Sequence, residues 1–255
     1  MRLNKIIIPT HGRAETISTI DHIPLDSYDV HLIVNPPEQL SAYHEALKGY
    51  NVTIHSASGR KIGANNYAIK KICEKDEWVL FLDDNIHGWY KTDQGKDREC
   101  SFEEWAYQME RDLEHCDKNH IRLWGQAIVD NLFFRKKWYT FNCFILGKAY
   151  AMKISDFLYD TNMVCKEDYD VSAWHIWNAG GNMRNNHLYS KHKFFDKGGF
   201  GKRDARNAQY IKDADYLMKK YPQLFRYKRA DDKSEVVIRP LKQEKIWELK
   251  SLARL

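Results

Sequence analysis

Two carboxylates stand side by side at the end of an apolar run in Phe81-Leu82-Asp83-Asp84-Asn85. Adjacent acids at the mouth of a buried strand repel each other and lose hydration, so the pair calls for a cation or for hydrogen-bond donors. In open parallel sheets, ligands bind just beyond the carboxyl ends of the strands. A hard divalent cation with oxygen ligands, bridging to a diphosphate, suits that position. A helix cap is the simpler use for such an acid, but a cap needs only one.

A second group is Gly59-Arg60-Lys61-Ile62-Gly63-Ala64-Asn65-Asn66, which leads into a helical pattern. Glycines let the backbone approach a ligand closely, and two cations at a helix N-terminus attract phosphate. A third is Lys166-Glu167-Asp168-Tyr169-Asp170. Its acids suit the positive end of a helix macrodipole, and one of them is also placed to act as a general base toward a hydroxyl. Glu167 and Asp170 fall on one side of such a helix. A fourth is basic: Lys191, Lys193, Lys197, Lys202, Arg203 and Arg206 lie close together, opposed there by Asp196 and Asp204. With 8 Trp and 15 Tyr in the chain, this stripe suits sugars or nucleic acid as well as it suits a solvated loop.

These groups need elements to hold them. Lys5–Pro9, Val30–Val34, Val52–His55 and Trp78–Leu82 read as short buried strands, the last running straight into Asp83. Helical patterns over Glu38–Lys48 and Ile62–Glu74 separate them, which predicts a mostly parallel sheet. Ser101-Phe102-Glu103-Glu104 is a capping box for a helix reaching about Cys116. Strands near Arg122–Val129 and Trp138–Ile145, antiparallel to each other, are expected next. Helices are then expected around Ser155–Leu158 and from Lys166 to the Gly180-Gly181 break, followed by Arg206–Lys220 and Leu241–Leu255. The reading is one α/β catalytic domain over 1–255. Residues 1–100 form the nucleotide-binding half, and 101–255 an antiparallel and helical acceptor half.

The chain has 255 residues, 43% of them hydrophobic, and a net charge of +5. That supports a proper core and argues against disorder. No apolar run approaches the roughly 18 residues of a membrane span. Ile6-Ile7-Ile8 is shorter than the about 7–15 apolar residues of a signal peptide. The 5 Cys are scattered without a C-x-x-C pair, which argues against a zinc cage or disulfide framework. A cytoplasmic protein with no membrane partner is expected.

Ile7-Ile8-Pro9-Thr10-x-x-Arg13, then Gly59-Arg60-x-x-Gly63-Ala64-x-Asn66, then Phe81-Leu82-Asp83-Asp84-Asn85, then Glu167-Asp168-Tyr169-Asp170 occur in an order that resembles the GT-A-fold glycosyltransferases. The resemblance spans roughly residues 1–180. It implies a Rossmann-like, mostly parallel sheet flanked by helices. Within that fold the chain is similar to the phage TET-associated glycosyltransferases. The compact size, the Asp-Asp-Asn turn, Gly180-Gly181 after the Glu-Asp helix and the basic later loop carry that likeness.

The resemblance implies a donor site of Pro9, Thr10, Arg13, Asn35, Arg60, Lys61, Asn65 and Asp83, with a UDP-linked sugar as the default donor. It implies Mn²⁺ or Mg²⁺ on Asp84. Asn85 stands where the commonest D-x-D form has its final Asp, so His192 is a candidate helper ligand. Asp168 is the implied base for inverting transfer, with Glu167 the runner-up. The implied acceptor is 5-hydroxymethylcytosine in duplex DNA, in the host cytoplasm if the protein is phage-encoded. Arg135, Lys136, Lys137, Lys197, Lys202 and Arg203 are the candidate DNA contacts. A glycan or small-molecule acceptor, a nucleotidyltransferase of related fold, and a non-catalytic DNA-binding module are the competing readings.

Overall fold

A computed structural model describes residues 3–135, 137–192 and 207–239. The expected Leu241–Leu255 helix and most of the basic loop, with Lys197, Lys202 and Arg203, lie outside the described residues, as does Lys136.

The chain begins with β1 (Lys5–Thr10), β2 (Asp29–Val34), α1 (Leu40–Ala46), β3 (Thr53–Ser56), α2 (Arg60–Lys71) and β4 (Trp78–Leu82). It continues with β5 (Ile86–Asp93), β6 (Lys96–Cys100), α3 (Phe102–Lys118), β7 (Leu123–Gln126), β8 (Tyr139–Phe141) and β9 (Ala149–Lys153). Last come α4 (Glu167–Asn178), β10 (Met183–Asn185), β11 (Leu188–His192), α5 (Asn207–Lys220), β12 (Phe225–Tyr227) and β13 (Val236–Ile238).

The main sheet has the order β3-β2-β1-β4-β9-β7-β10-β8. Its pairings leave β9 and β8 running against the other strands. The fold is therefore α/β with a mostly parallel sheet flanked by helices. Small antiparallel sheets, β11-β5-β6 and β12-β13, form the elaboration. Among the described residues no helix is long and apolar enough to cross a membrane.

The central strands are buried on both faces. Ile6, Ile8, Leu80 and Leu82 pack with Trp105, Met109 and Leu113 of α3. Ile7, Val79 and Phe81 pack on the opposite face with Ile62, Ala68 and Ile69 of α2 and with Val171 and Ile176 of α4. Strands enclosed in this way read as continuous apolar runs, which is why they are visible in the sequence. Ser101 caps α3, its Oγ accepting from the Glu104 amide at 3.2 Å.

Several expectations need correction. Ser155–Leu158 is not helical. Phe157 and Tyr159, two residues apart, both enter the core, an alternation that a helix face does not allow. Helix α2 starts at Arg60 and ends at Lys71. Gly63 makes that start possible: a Cβ there would lie 1.8 Å from the Ser58 carbonyl oxygen. The expected strands near 122–129 and 138–145 shrink to β7 and β8. They run antiparallel but are not neighbours, because β10 lies between them. The β5–β6 hairpin is an addition, turning through Gln94 and Gly95, both at positive φ.

Candidate active site

The acidic turn leaves the carboxyl end of β4, as the sequence predicts, but its two acids have different surroundings. Asp84 is 5% exposed. Its Oδ2 accepts from Thr10 Oγ1 at 2.7 Å, and its Oδ1 is ion-paired with Arg13. Burial pushes its carboxyl above the usual range, while Arg13 and Thr10 pull it back. Tyr43 completes the unit: its hydroxyl is 2.7 Å from Thr10 Oγ1 and accepts from the Arg13 amide at 2.9 Å. Asp84 thus locks the ends of β1 and β4 together, and both of its oxygens are engaged by protein.

Asp83 is more open. Lys61 Nζ donates to its Oδ1 at 2.6 Å and to the Gly147 carbonyl at 2.8 Å. Burial would weaken the Lys61 charge, but Asp83 and Glu167 hold the ammonium firmly protonated. Beside the turn, Asn85 Oδ1 lies 3.0 Å from His192 Nδ1. His192 Nε2 lies 2.8 Å from Ser190 Oγ. Burial lowers the His192 pKa to about 3, so the ring is neutral. Among the described residues, no three His, Cys, Asp or Glu side chains form a group that could hold a metal ion.

A pocket of about 420 Å³ opens over this turn. Pro9, Thr10, Arg13, Asn35, Arg60, Lys61, Asp83, Asp84 and Glu167 line it, as do His11, Ala64 and Asn85. Most of the expected donor residues are therefore brought together. Asn65 is the exception. It is 1% exposed, directs its amide to the Tyr150 hydroxyl at 3.5 Å and lines a small internal cavity under Asp168. Asn35, buried in the pocket wall, donates to the Ala57 carbonyl at 2.9 Å.

The Glu-Asp pair opens α4, as its acids at a helix N-terminus suggest. Glu167 borders the pocket over the acidic turn. Asp168 borders a separate cleft of about 660 Å³, with Phe144, Lys166, Tyr169 and Tyr210 in its wall. Both pKa values are raised, first by burial. Asp168 is pushed to about 8 with the further help of Glu167's charge. Gly147 packs closely beside Lys61 and Asp168: a Cβ there would sit 3.5 Å from Lys61 Nζ and 3.6 Å from Asp168 Cβ. Asp170 faces the other way and is ion-paired with Lys220 at 2.8 Å, tying α4 to α5.

Arg135 is corrected outright as a DNA contact. It is 3% exposed and ion-paired with Asp97. It donates to Thr92 Oγ1 at 3.0 Å and to the carbonyls of Asn186 and Asp130 at 3.0 and 2.9 Å. Both terminal nitrogens of the guanidinium are occupied, and its remaining Nε is buried away from any phosphate. Lys137 is exposed. Sequence reasoning missed Tyr43, Gly147 and the Phe144 side of the cleft. Nothing in their local sequence marks them, since they meet the site only through the fold.

The family model for the TET-Associated Glycosyltransferases matches residues 4–176. No curated protein matches the chain. Among solved structures, 4-diphosphocytidyl-2C-methyl-D-erythritol synthase from Anaerococcus prevotii is similar at 12% identity and a TM-score of 0.46, over 77% of this chain and 94% of that one. A protein described as a glucose-1-phosphate thymidylyltransferase from Bacillus anthracis is similar at 10% identity and a TM-score of 0.29, over 97% of this chain and 83% of that one.

Proposed function

The chain belongs to the TET-associated glycosyltransferase family, and from that membership we propose that it transfers a sugar from a UDP-linked donor to the hydroxyl of 5-hydroxymethylcytosine in duplex DNA, with inversion at the anomeric carbon. The observation that carries the chemistry is the placement of Glu167 and Asp168. One borders the pocket of the acidic turn, and its neighbour borders the cleft on the other side.

In this reading the donor lies in the pocket of Thr10, Arg13, Arg60, Lys61 and Asp83. Arg60 and Lys61 face its diphosphate at the start of α2, where helix geometry also favours anions. Asp83 faces the ribose or a cation. The acceptor enters from the Phe144–Tyr169 side. Asp168 takes the proton from its hydroxyl, and the oxygen attacks the anomeric carbon in line. The bond to the diphosphate oxygen breaks and UDP departs. A carboxyl with a pKa near 8 is basic enough to accept that proton and is substantially ionised at mildly alkaline pH. Lys61 offsets the charge of both acids, and Lys166 adds to this at Asp168.

The donor set fits a divalent cation in one way. Asp84 is unsuited because Arg13 and Thr10 occupy its oxygens. Asp83 suits Mg²⁺ or Mn²⁺, which often take one or two carboxylates plus substrate phosphates. His192 stands at the same turn through Asn85. A bound cation would act as a Lewis acid on the leaving diphosphate. Lys137 and, from the sequence, Lys136, Lys197, Lys202 and Arg203 supply phosphate contacts.

The test is UDP release from a panel of UDP-sugars in the presence of hydroxymethylated, unmodified and no DNA. The proposal expects release that depends on the hydroxymethyl group. Equal release in all three conditions would contradict the DNA acceptor. Release that depends on a glycan or small alcohol instead would move the acceptor assignment there.

A further inference from the structure

Four aromatic side chains stand exposed within nine residues: Phe133 at 68%, Phe134 at 69%, Trp138 at 60% and Phe141 at 49%. Water-facing rings at this density mark an interaction surface. The backbone that presents the first two is anchored at both ends. Residues Leu132–Phe134 form a short 3-10 turn, whose start is capped by Asn131 Oδ1 accepting from the Phe133 amide at 2.9 Å. Immediately after it, Arg135 plugs into the β5–β6 hairpin and the β10–β11 turn through Asp97, Thr92 and the Asn186 carbonyl. The buried arginine is the anchor, and the two phenylalanines are its outward tip. Their rings meet edge to face at 5.2 Å.

The tip lies on the edge of the sheet that carries the chemistry. Strands β4 and β7 run in the same direction, separated by β9. The turn after β4 and the segment after β7 therefore leave the same edge, about 10 Å apart at the strand ends. Polar contacts link them: Gln126 Nε2 donates to Ser190 Oγ at 2.6 Å, Ser190 meets His192, and His192 meets Asn85. Lys148, whose carbonyl accepts from the Asp83 amide at 2.8 Å, is also within electrostatic reach of Asp130 at the base of the tip. Lys136 and Lys137 follow directly in sequence, and Trp138 lies flat on His187 at 3.6 Å.

We propose that Phe133 and Phe134 form a wedge that enters the base stack of duplex DNA beside the target nucleotide and takes the space left by the extruded base. This rests on the DNA-acceptor reading. The 5-hydroxymethyl group of a stacked cytosine points into the major groove, but Asp168 is set in a cleft walled by Phe144, Tyr169 and Tyr210, and extruding the base brings the hydroxyl into that cleft. Apolar side chains inserted at a base step are a general way to open it. The occupant is nucleic acid rather than a protein face because the exposed Lys137 follows the rings closely in sequence and because the tip shares an edge with the reacting carboxylate. In the competing arrangement, the rings cover a second copy of this chain.

The experiment uses a duplex with 2-aminopurine next to a single 5-hydroxymethylcytosine. With the parent protein, aminopurine fluorescence should rise on binding as the neighbour unstacks. With F133A/F134A the rise should be lost and the duplex Kd should increase roughly 5- to 150-fold, the usual worth of one aromatic–base stack. UDP binding should be unchanged, and F133W/F134W should restore the fluorescence rise. If the parent binds the duplex and F133A/F134A binds and unstacks it equally well, the wedge is wrong while the DNA reading stands. A parent that binds no duplex overturns the DNA reading and the wedge with it. A parent dimer that becomes a monomer in F133A/F134A, with unchanged DNA affinity, assigns the rings to a copy-to-copy interface and overturns the wedge.

Discussion

Glu167 and Asp168 are consecutive residues at the start of one helix; they share a small internal cavity with Lys61, and each also borders a larger opening that the other does not. Glu167 meets the pocket of Lys61 and Asp83, and Asp168 the cleft of Phe144 and Tyr169. Chemistry that joins a donor to an acceptor needs a group at the boundary between them, and this helix start supplies one.

Asp168→Asn should lower turnover roughly 10²–10⁴-fold, the usual contribution of a general base. Its UDP affinity should stay within about twofold of the parent, because Asp168 does not line the donor pocket. Steady-state kinetics together with calorimetry check both. If Glu167→Gln abolishes turnover while Asp168→Asn keeps it, the roles within the pair are reversed.

The same substitution has a stability signature. Burial and Glu167's charge raise the Asp168 pKa to about 8, against an ordinary value near 3.8, while Lys61 and Lys166 oppose the shift. The folded state therefore binds a proton that the unfolded state has lost. Its contribution to stability is complete below about pH 4 and disappears as pH rises through about 8. Relative to the parent, Asp168→Asn should gain stability between those limits and hold the gain above them. Urea unfolding across pH 5 to 9 measures it. A difference that does not grow between about pH 5 and 8 would show that the carboxyl is not held protonated.

The acids of the turn should separate by experiment. Asp84→Ala leaves Arg13 without its buried partner and should lower stability by roughly 3–5 kcal/mol, the scale for one-sided loss of a buried pair. Asp83→Asn should leave stability near the parent and remove the Mn²⁺-dependent part of UDP binding. Calorimetry with and without Mn²⁺, beside urea unfolding, distinguishes them. Equal UDP affinity of the parent in both conditions would remove the cation from the mechanism.

Arg135→Ala should likewise destabilise by roughly 3–5 kcal/mol. The salt dependence of DNA binding should not change, because Arg135 meets Asp97 and not a phosphate. Replacing Lys197, Lys202 and Arg203 by Ala should flatten the salt slope by about 0.9 for each phosphate that is no longer neutralised. Filter binding across salt concentrations reads both. A flattened slope in Arg135→Ala would restore that residue to the DNA interface.

Much of the first half of the chain was legible because its signals are local. Five buried residues from Trp78 to Leu82 announce a strand, and the acids after it must lie at the strand's end. The Ser101 cap and the acids at the start of α4 are local as well. The rest depends on distance in space. Nothing near Arg135 distinguishes it from Lys137, because its partners Asp97, Thr92 and Asn186 come from other hairpins. Likewise, Asp83 and Asp84 differ only because Thr10, Arg13 and Tyr43 converge on the second of them. The β5–β6 hairpin escapes a sequence reading because its outward residues are charged and its pattern lacks a long apolar run.

The most direct measurement is mass spectrometry of nucleosides from hydroxymethylated duplex DNA incubated with the protein, Mn²⁺ and a panel of UDP-sugars. With at least one donor, the 5-hydroxymethylated deoxycytidine should gain the mass of one sugar residue. Asp168→Asn should leave that nucleoside unmodified. Hydroxymethylated DNA unchanged with every donor, while UDP is released onto another hydroxyl compound, would contradict sugar transfer to DNA.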